Sequence, residues 1–211
     1  AFCGVVNGVL IAGFRLQAIV TTFATSIVIS GVALRVLPQA GGELPPEYYE
    51  TYASEIGGLP FIVMCVACLL LAVAIIGRTT FLSHLTALGG NPVSAYQTGL
   101  SAFRLRVASH AVGGTFASLA ALAILGVAGA GDPLMGQAFT LSSVSAIVLG
   151  GVALAGGWGS AWGAIAGALL LGLINNLIFF ANINYVYQSV VQGAIVLLAL
   201  AGGVYTGRRP Q

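Results

Sequence analysis

The sequence predicts an all-α fold: a polytopic helical membrane protein with about six to seven transmembrane helices, one of them broken by glycine. Three observations carry this. Of 211 residues, 58% are hydrophobic and only 6% are charged, against roughly 25% charged in a soluble domain. The apolar runs are long and do not alternate, which suits helices rather than barrel strands. Arginines and acids fall into different sets of connections, the asymmetry that oriented insertion produces. The whole chain, 1–211, reads as one transmembrane domain, incomplete at its N-terminus.

The elements follow in order. An apolar run up to Ile11 or Ala12 meets Arg15 after about a dozen residues, short of the ~20 that span a bilayer. It reads as a cut helix. Leu16 to about Val36 makes a full span of ~31 Å at 1.5 Å per residue. A third run starts at Pro60, a residue suited to a first helical turn, and ends near Ile76. The fourth covers Val107 to about Ala128. Phe139 to Leu149 is shorter and leads into GGVALAGGWGSAWG at 150–163. Helices over about 160–180 and 187–204 complete the set.

Every acid lies in two connections: Glu43, Glu47, Glu50 and Glu55 within 37–59, and Asp132 within 129–138. Arg15, Arg78, Arg104, Arg106, Arg208 and Arg209 lie in the others, and only Arg35 sits on the acidic side. The positive-inside rule puts Arg15, the loop 77–106 and the C-terminal tail in the cytoplasm. Residues 139–180 then cross an even number of times, with the glycine break in the membrane or near its inner face. Backbone irregular at that depth needs protein or a water-filled cavity for its hydrogen bonds, as in the broken helices of transporters.

Several classes drop out. The chain has no lysine, so no Walker A loop is present. Net charge is +2, and nothing points to nucleic acid. Cys65 and Cys68 sit in FIVMCVACLLLAVAII with no histidine or acid nearby, and read as small buried hydrophobes. His84 and His110 are isolated in sequence, and no metal or catalytic constellation stands out. No acid lies mid-membrane, which argues against ion coupling within this portion.

Three groups of residues carry candidate function. Gly150, Gly151, Gly156 and Gly157 form either a functional backbone break or a tight loop. Gly159, Gly163 and Gly167 share a four-residue period that favours close helix packing. Asn175 and Asn176 lie inside a spanning helix, where they either bond across helices or line a polar path. In the loop 77–106, ALGGNPVSAYQTGL encodes a short helix with Asn91 as N-cap, Pro92 at its first position and Gly99 at its end. It is either a connector or a docking element.

ALGGNPVSAYQTGL resembles the cytoplasmic segment of ribose/xylose/galactose-type ABC permeases, A-x-G-G-N-x-x-A-A-x-x-S-G-I. IVLGGVALAGGWGSAWGAIAGALLLGLINNLIFF resembles that family's glycine-rich motif and following helix, and NYVYQSVVQGAIVLLAL its final helix. Ser94 and Thr98 depart from the usual alanine and serine, and Thr80 to His84 depart from an upstream T-x-x-G-R. Such permeases are about half as long again, with about ten helices, so the resemblance implies that most of the first three are missing. It implies a bacterial inner-membrane subunit, its C-terminus cytoplasmic, importing a monosaccharide. It also implies a second permease copy, a periplasmic sugar-binding protein and an ABC ATPase subunit that uses the ATP. The chain would need no cofactor of its own and would not be an enzyme. Gly89, Gly90, Asn91, Pro92, Ser94, Ala95, Thr98 and Gly99 match the ATPase-coupling segment. Gly150, Gly151, Gly156, Gly157 and Gly159 match the broken helix of the translocation path, with Asn175 and Asn176 beyond it. Branched-chain amino-acid or nucleoside ABC permeases are the nearer alternative; a secondary transporter or facilitator, or a non-transporting membrane scaffold, is the more distant one.

Overall fold

Apolar runs become helices because a helix satisfies its own backbone in lipid. In the computed structural model, described residues are 1–42, 44–56, 58–154 and 156–181, together with Tyr187, Val190, Gly193 and Ala194. The rest of the expected last helix and the C-terminal tail lie outside them. Nine helices occur among the described residues: α1 Phe2–Gly13, α2 Ala18–Val36, α3 Pro46–Ala53, α4 Phe61–Gly77, α5 Thr80–Gly90, α6 Pro92–Gln97, α7 Ala102–Ala128, α8 Met135–Leu149 and α9 Ala161–Phe180. A two-stranded antiparallel hairpin, Glu55–Ile56 with Leu59–Pro60, precedes α4. Of these helices α2, α7 and α9 are long and apolar enough to span a membrane, and the pair α4–α5, bent by 67°, gives a fourth candidate. Helices α1 and α8 are shorter apolar helices.

The loop 77–106 is more helical than its sequence suggested. It contains α5, α6 and the start of α7, which begins at Ala102 rather than near Val107. Ser101 explains the early start: its side chain accepts from the Arg104 amide, at 3.4 Å, as an N-cap does.

The chain divides into two compact units, residues 1–88 with 92–136, and residues 89–91 with 137 onward. In the first unit α1 packs along α7 through glycines. A Cβ at Gly4 would strike the His110 carbonyl, and one at Gly8 would lie 2.7 Å from Val107 Cα. Gly4, Gly8 and Ile11 form the buried stripe of α1, at the i, i+4, i+7 spacing of one helix face.

The two acid-bearing connections of this unit meet. Gly41 and Gly131 exchange backbone hydrogen bonds of 2.8 and 3.1 Å. Beside them α3 docks on α7. The Tyr52 ring covers Gly126, and Tyr48 donates its hydroxyl to the Leu122 carbonyl at 3.0 Å. Burial pushes the Tyr52 phenol pKa up, and the hydrogen bond to Tyr48 adds to the shift. Tyr48→Phe should cost about 1 kcal/mol, the net value of one such bond. Thermal unfolding in detergent would read this as a small drop in midpoint; no drop would mean the bond contributes nothing.

In the second unit α8 crosses α9 on small residues. Ser145 and Ala146 of α8 are buried, as are Gly167 and Leu171 of α9. A Cβ on Gly163 would strike the Gly150 carbonyl, and one on Gly167 would lie 2.7 Å from the Gly150 nitrogen. Lipid gives apolar helices no hydrophobic reason to associate, so close backbone approach supplies the attraction.

Candidate functional site

The glycine break begins as a helix stop. Helix α8 ends at Leu149. Val152 then donates to the Ile147 carbonyl at 3.1 Å and Gly151 to Val148 at 3.0 Å. These are the two bonds of a Schellman cap, with Gly151 at its left-handed position, φ 73°. The following residues fold back on themselves: Ala153 donates to Trp158, and Gly156 to Ala153, both at 3.0 Å. Gly156, Gly157 and Gly159 also have positive φ, at 88°, 81° and 148°. The break therefore satisfies much of its backbone internally.

The glycines divide differently from the sequence expectation. Gly163 and Gly167 serve packing, as their period suggested, and Gly150 is the surface they pack against. Gly159 precedes α9, which starts at Ala161, and takes part in the loop against Val152. Gly151, Gly156 and Gly157 are conformational.

The segment 89–99, expected from the sequence to couple to an ATPase, is built on the same device. Helix α6 ends at Gln97. Leu100 donates to Ala95 at 3.2 Å and Gly99 to Tyr96 at 3.0 Å, with Gly99 at φ 83°. This is again a Schellman cap. The Thr98 hydroxyl adds a bond to the Ala95 carbonyl at 2.8 Å. Pro92 opens the helix directly after Asn91, and Ser94 lies on its first turn. Ala95 is buried, whereas Val93 and Tyr96 are exposed. Those two, one turn apart, present an apolar and aromatic face. The i, i+3 spacing in PVSAYQ could have revealed them.

Gly89 and Gly90 end α5 and lie against the break within the second unit. A Cβ on Gly89 would sit 2.5 Å from the Gly157 nitrogen, and one on Gly157 would sit 2.6 Å from Gly90 Cα. The two glycine motifs thus touch backbone to backbone. No side chain could be inserted between them.

The amides remain apart from this contact. Asn175 is half-buried on α9 and Asn176 is exposed. The Asn175 Oδ1 is buried without a hydrogen-bond partner. So is the Oδ1 of Asn7 on α1, a residue the sequence reading passed over. Asn7 lines a cavity of about 830 Å³ with Ser109, His110 and Ser118. Its signal was an amide between Gly4 and Gly8, on a helix otherwise almost free of polar side chains. The described residues hold no group of three or more candidate metal ligands.

Long apolar helices, a break folded on glycine and a capped short helix between them define a polytopic helical membrane protein. The family model described as "Branched-chain amino acid transport system / permease component" matches residues 1–200, and the chain belongs to that family. Similar proteins include the L-arabinose transport system permease protein of Escherichia coli (strain K12), 32% identical over 92% of this chain and 60% of that protein. The ribose import permease protein of Haemophilus influenzae is 27% identical over 98% of this chain and 66% of that protein. The galactose/methyl galactoside import permease protein of the same organism is 29% identical, over 95% and 62%. The chain thus spans three-fifths to two-thirds of the length of these relatives. No solved structure matches it.

Proposed function

We propose that the chain belongs to the membrane-spanning subunit of an ATP-binding-cassette importer that carries a monosaccharide across the bacterial inner membrane. Relatives named for arabinose, ribose and galactose support the substrate class. The observation that carries the mechanism is the contact of Gly89 and Gly90 with Gly156 and Gly157. Helix α6 is the docking element for a separate ATPase subunit, offering Val93 and Tyr96. Movement of α6 pulls on residues 89–91, which bear directly on the glycine loop. Backbone on backbone, that contact transmits a displacement that a flexible side chain would absorb.

The loop closes α8 and leads into α9, so its motion resets the helices that flank the path. Gly150, Gly151, Gly156, Gly157 and Gly159 set the loop, and the unpaired Oδ1 of Asn175 is an acceptor for a hydroxyl of the substrate. Asn176 lies on the next position of the same helix. The subunit is a transport component and not an enzyme; it holds no cofactor, and ATP is consumed by the ATPase. A second permease copy, homologous or identical, completes the path, a periplasmic sugar-binding protein delivers the substrate, and lipid surrounds the whole. Arg15 and residues 77–106 face the cytoplasm, as does the C-terminus.

The test is uptake by proteoliposomes holding the full-length permease, its ATPase and its binding protein. Labelled pentose or hexose should enter only with ATP and binding protein, and leucine should not compete. Uptake down a gradient without ATP would instead identify a facilitator, and uptake of leucine an amino-acid importer. Gly99→Val probes docking separately. A β-branched residue at φ 83° breaks the cap of α6. Co-purification with the ATPase should fall about tenfold while membrane insertion is unchanged; undiminished co-purification would rule out α6 as the docking element.

A further inference from the structure

A second cavity, of about 470 Å³, lies within the first unit where three connections meet. It is lined by Arg15 from the α1–α2 turn, Tyr96 from α6, and Ser101, Phe103 and Arg106 from the start of α7. Its volume falls in the roughly 300–1,000 Å³ range of small-molecule sites. Neither arginine has an ion-pair partner among the described residues. The described acids, Glu47, Glu50, Glu55 and Asp132, belong to the connections at the other ends of α2 and α7. Two guanidinium groups thus share a pocket with no counter-charge from the described chain.

We infer that this cavity binds the phosphate of an anionic phospholipid headgroup from the cytoplasmic leaflet. Depth favours a lipid. Arg15 sits between two apolar helices, and Arg106 lies four residues into α7, about 6 Å from its start at 1.5 Å per residue. With Arg15 and the loop 77–106 on the cytoplasmic side, as proposed above, this end of α7 meets the headgroups of that leaflet. The surroundings favour a lipid over a soluble acidic partner as well. Phe14 and Leu16, flanking Arg15, are exposed, and so is Phe103 on the cavity wall. A phospholipid meets both features at once, its phosphate on the arginines and its chains on the apolar rim. Arginine suits this task because its planar fork holds two phosphate oxygens together. Basic pockets between helices on the cytoplasmic side bind such headgroups by the same physics. The inference does not depend on what the chain transports.

Native mass spectrometry of the detergent-purified chain tests it, titrating phosphatidylglycerol, phosphatidylcholine with the same acyl chains, and inorganic phosphate. Phosphatidylglycerol should be retained over phosphatidylcholine, and phosphate alone should not displace it at equal concentration. The double variant Arg15→Gln/Arg106→Gln should lose that preference by about tenfold or more. Arg104→Gln, outside the cavity on the same helix, should keep it. Arg15→Lys/Arg106→Lys should retain a preference for the anionic lipid, which keeps the test decisive even if the glutamine variant folds poorly. Equal binding of both lipids, full displacement by phosphate, or an unchanged preference in the glutamine variant would overturn the inference. So would loss of ATPase co-purification in that variant with lipid binding intact, which would assign the arginines to a protein contact.

Discussion

In the importer proposed above, Gly157→Val should abolish ATP-driven uptake, by more than about tenfold, while the chain still inserts and still co-purifies with the ATPase. Two costs combine at this residue. Its φ of 81° is open to glycine but costs a side-chain-bearing residue about 1–2 kcal/mol, and a β-branched one more. Its Cβ would also fall 2.6 Å from Gly90 Cα and 2.8 Å from Gly90 N. Backbone atoms cannot rotate aside as a side chain can, so residues 89–91 must move off the loop. Helix α6 keeps its own cap at Gly99, which is why docking survives. Gly151→Ala separates the two costs. Gly151 shares the positive φ, at 73°, but a Cβ there meets nothing within 4 Å. It should therefore lose stability with little loss of uptake. If Gly157→Val transports within twofold of the unsubstituted protein, the glycine contact does not couple the two motifs.

That contact marks the limit of what the sequence could reveal. The long spans were legible because length and apolarity determine them: α2 and α9 match their expected ranges within two residues. A single motif was legible too, since Gly99 advertises the cap it forms, whereas the cap at Gly151 was hidden among the other glycines of the break. Helix α3 was not, because PEYYETYA is polar and carries no apolar period; it forms against α7 through Tyr48 and Tyr52. Helix α5 was read as loop because Gly89 and Gly90 disguise its end. Gly89 and Gly157 lie far apart in the chain, and no periodicity links them. Pairing is decided by the folded backbone. The stripe of Gly4 and Gly8, by contrast, was present in the sequence as G-x-x-x-G and went unread beside the richer segment downstream.

Grouping by charge was legible and has a structural counterpart. The connections carrying the acids are joined by the bond pair between Gly41 and Gly131. Arg15 and Arg106 meet at one cavity. Within the first unit, then, side-by-side contacts unite connections of the same kind, as a single topology requires. The sign of the arginine side, inward by the insertion rule, is what places α6 within reach of a cytoplasmic ATPase in the proposed mechanism.

Gly167→Leu should be the most damaging single change to the fold of the second unit. Gly167 is buried at the crossing of α8 and α9. Even a Cβ there would strike the Ala146 carbonyl and lie 2.7 Å from the Gly150 nitrogen and 3.1 Å from its Cα. A leucine must push the helices apart and break the van der Waals contact that holds them in lipid. Overpacking of this kind costs about 1–3 kcal/mol, more where neighbours are backbone. At about 3 kcal/mol the unfolding midpoint of a chain this size drops by about 6–12 °C. Gly172 supplies the comparison: it lies on the same helix, and a Cβ there meets nothing within 4 Å. Gly172→Leu adds the same side chain and should leave the midpoint nearly unchanged, read for both variants by intrinsic fluorescence in one detergent. Equal melting of the two would mean that α8 and α9 do not cross tightly. In that case the glycine loop between them would lack the fixed frame against which residues 89–91 could push.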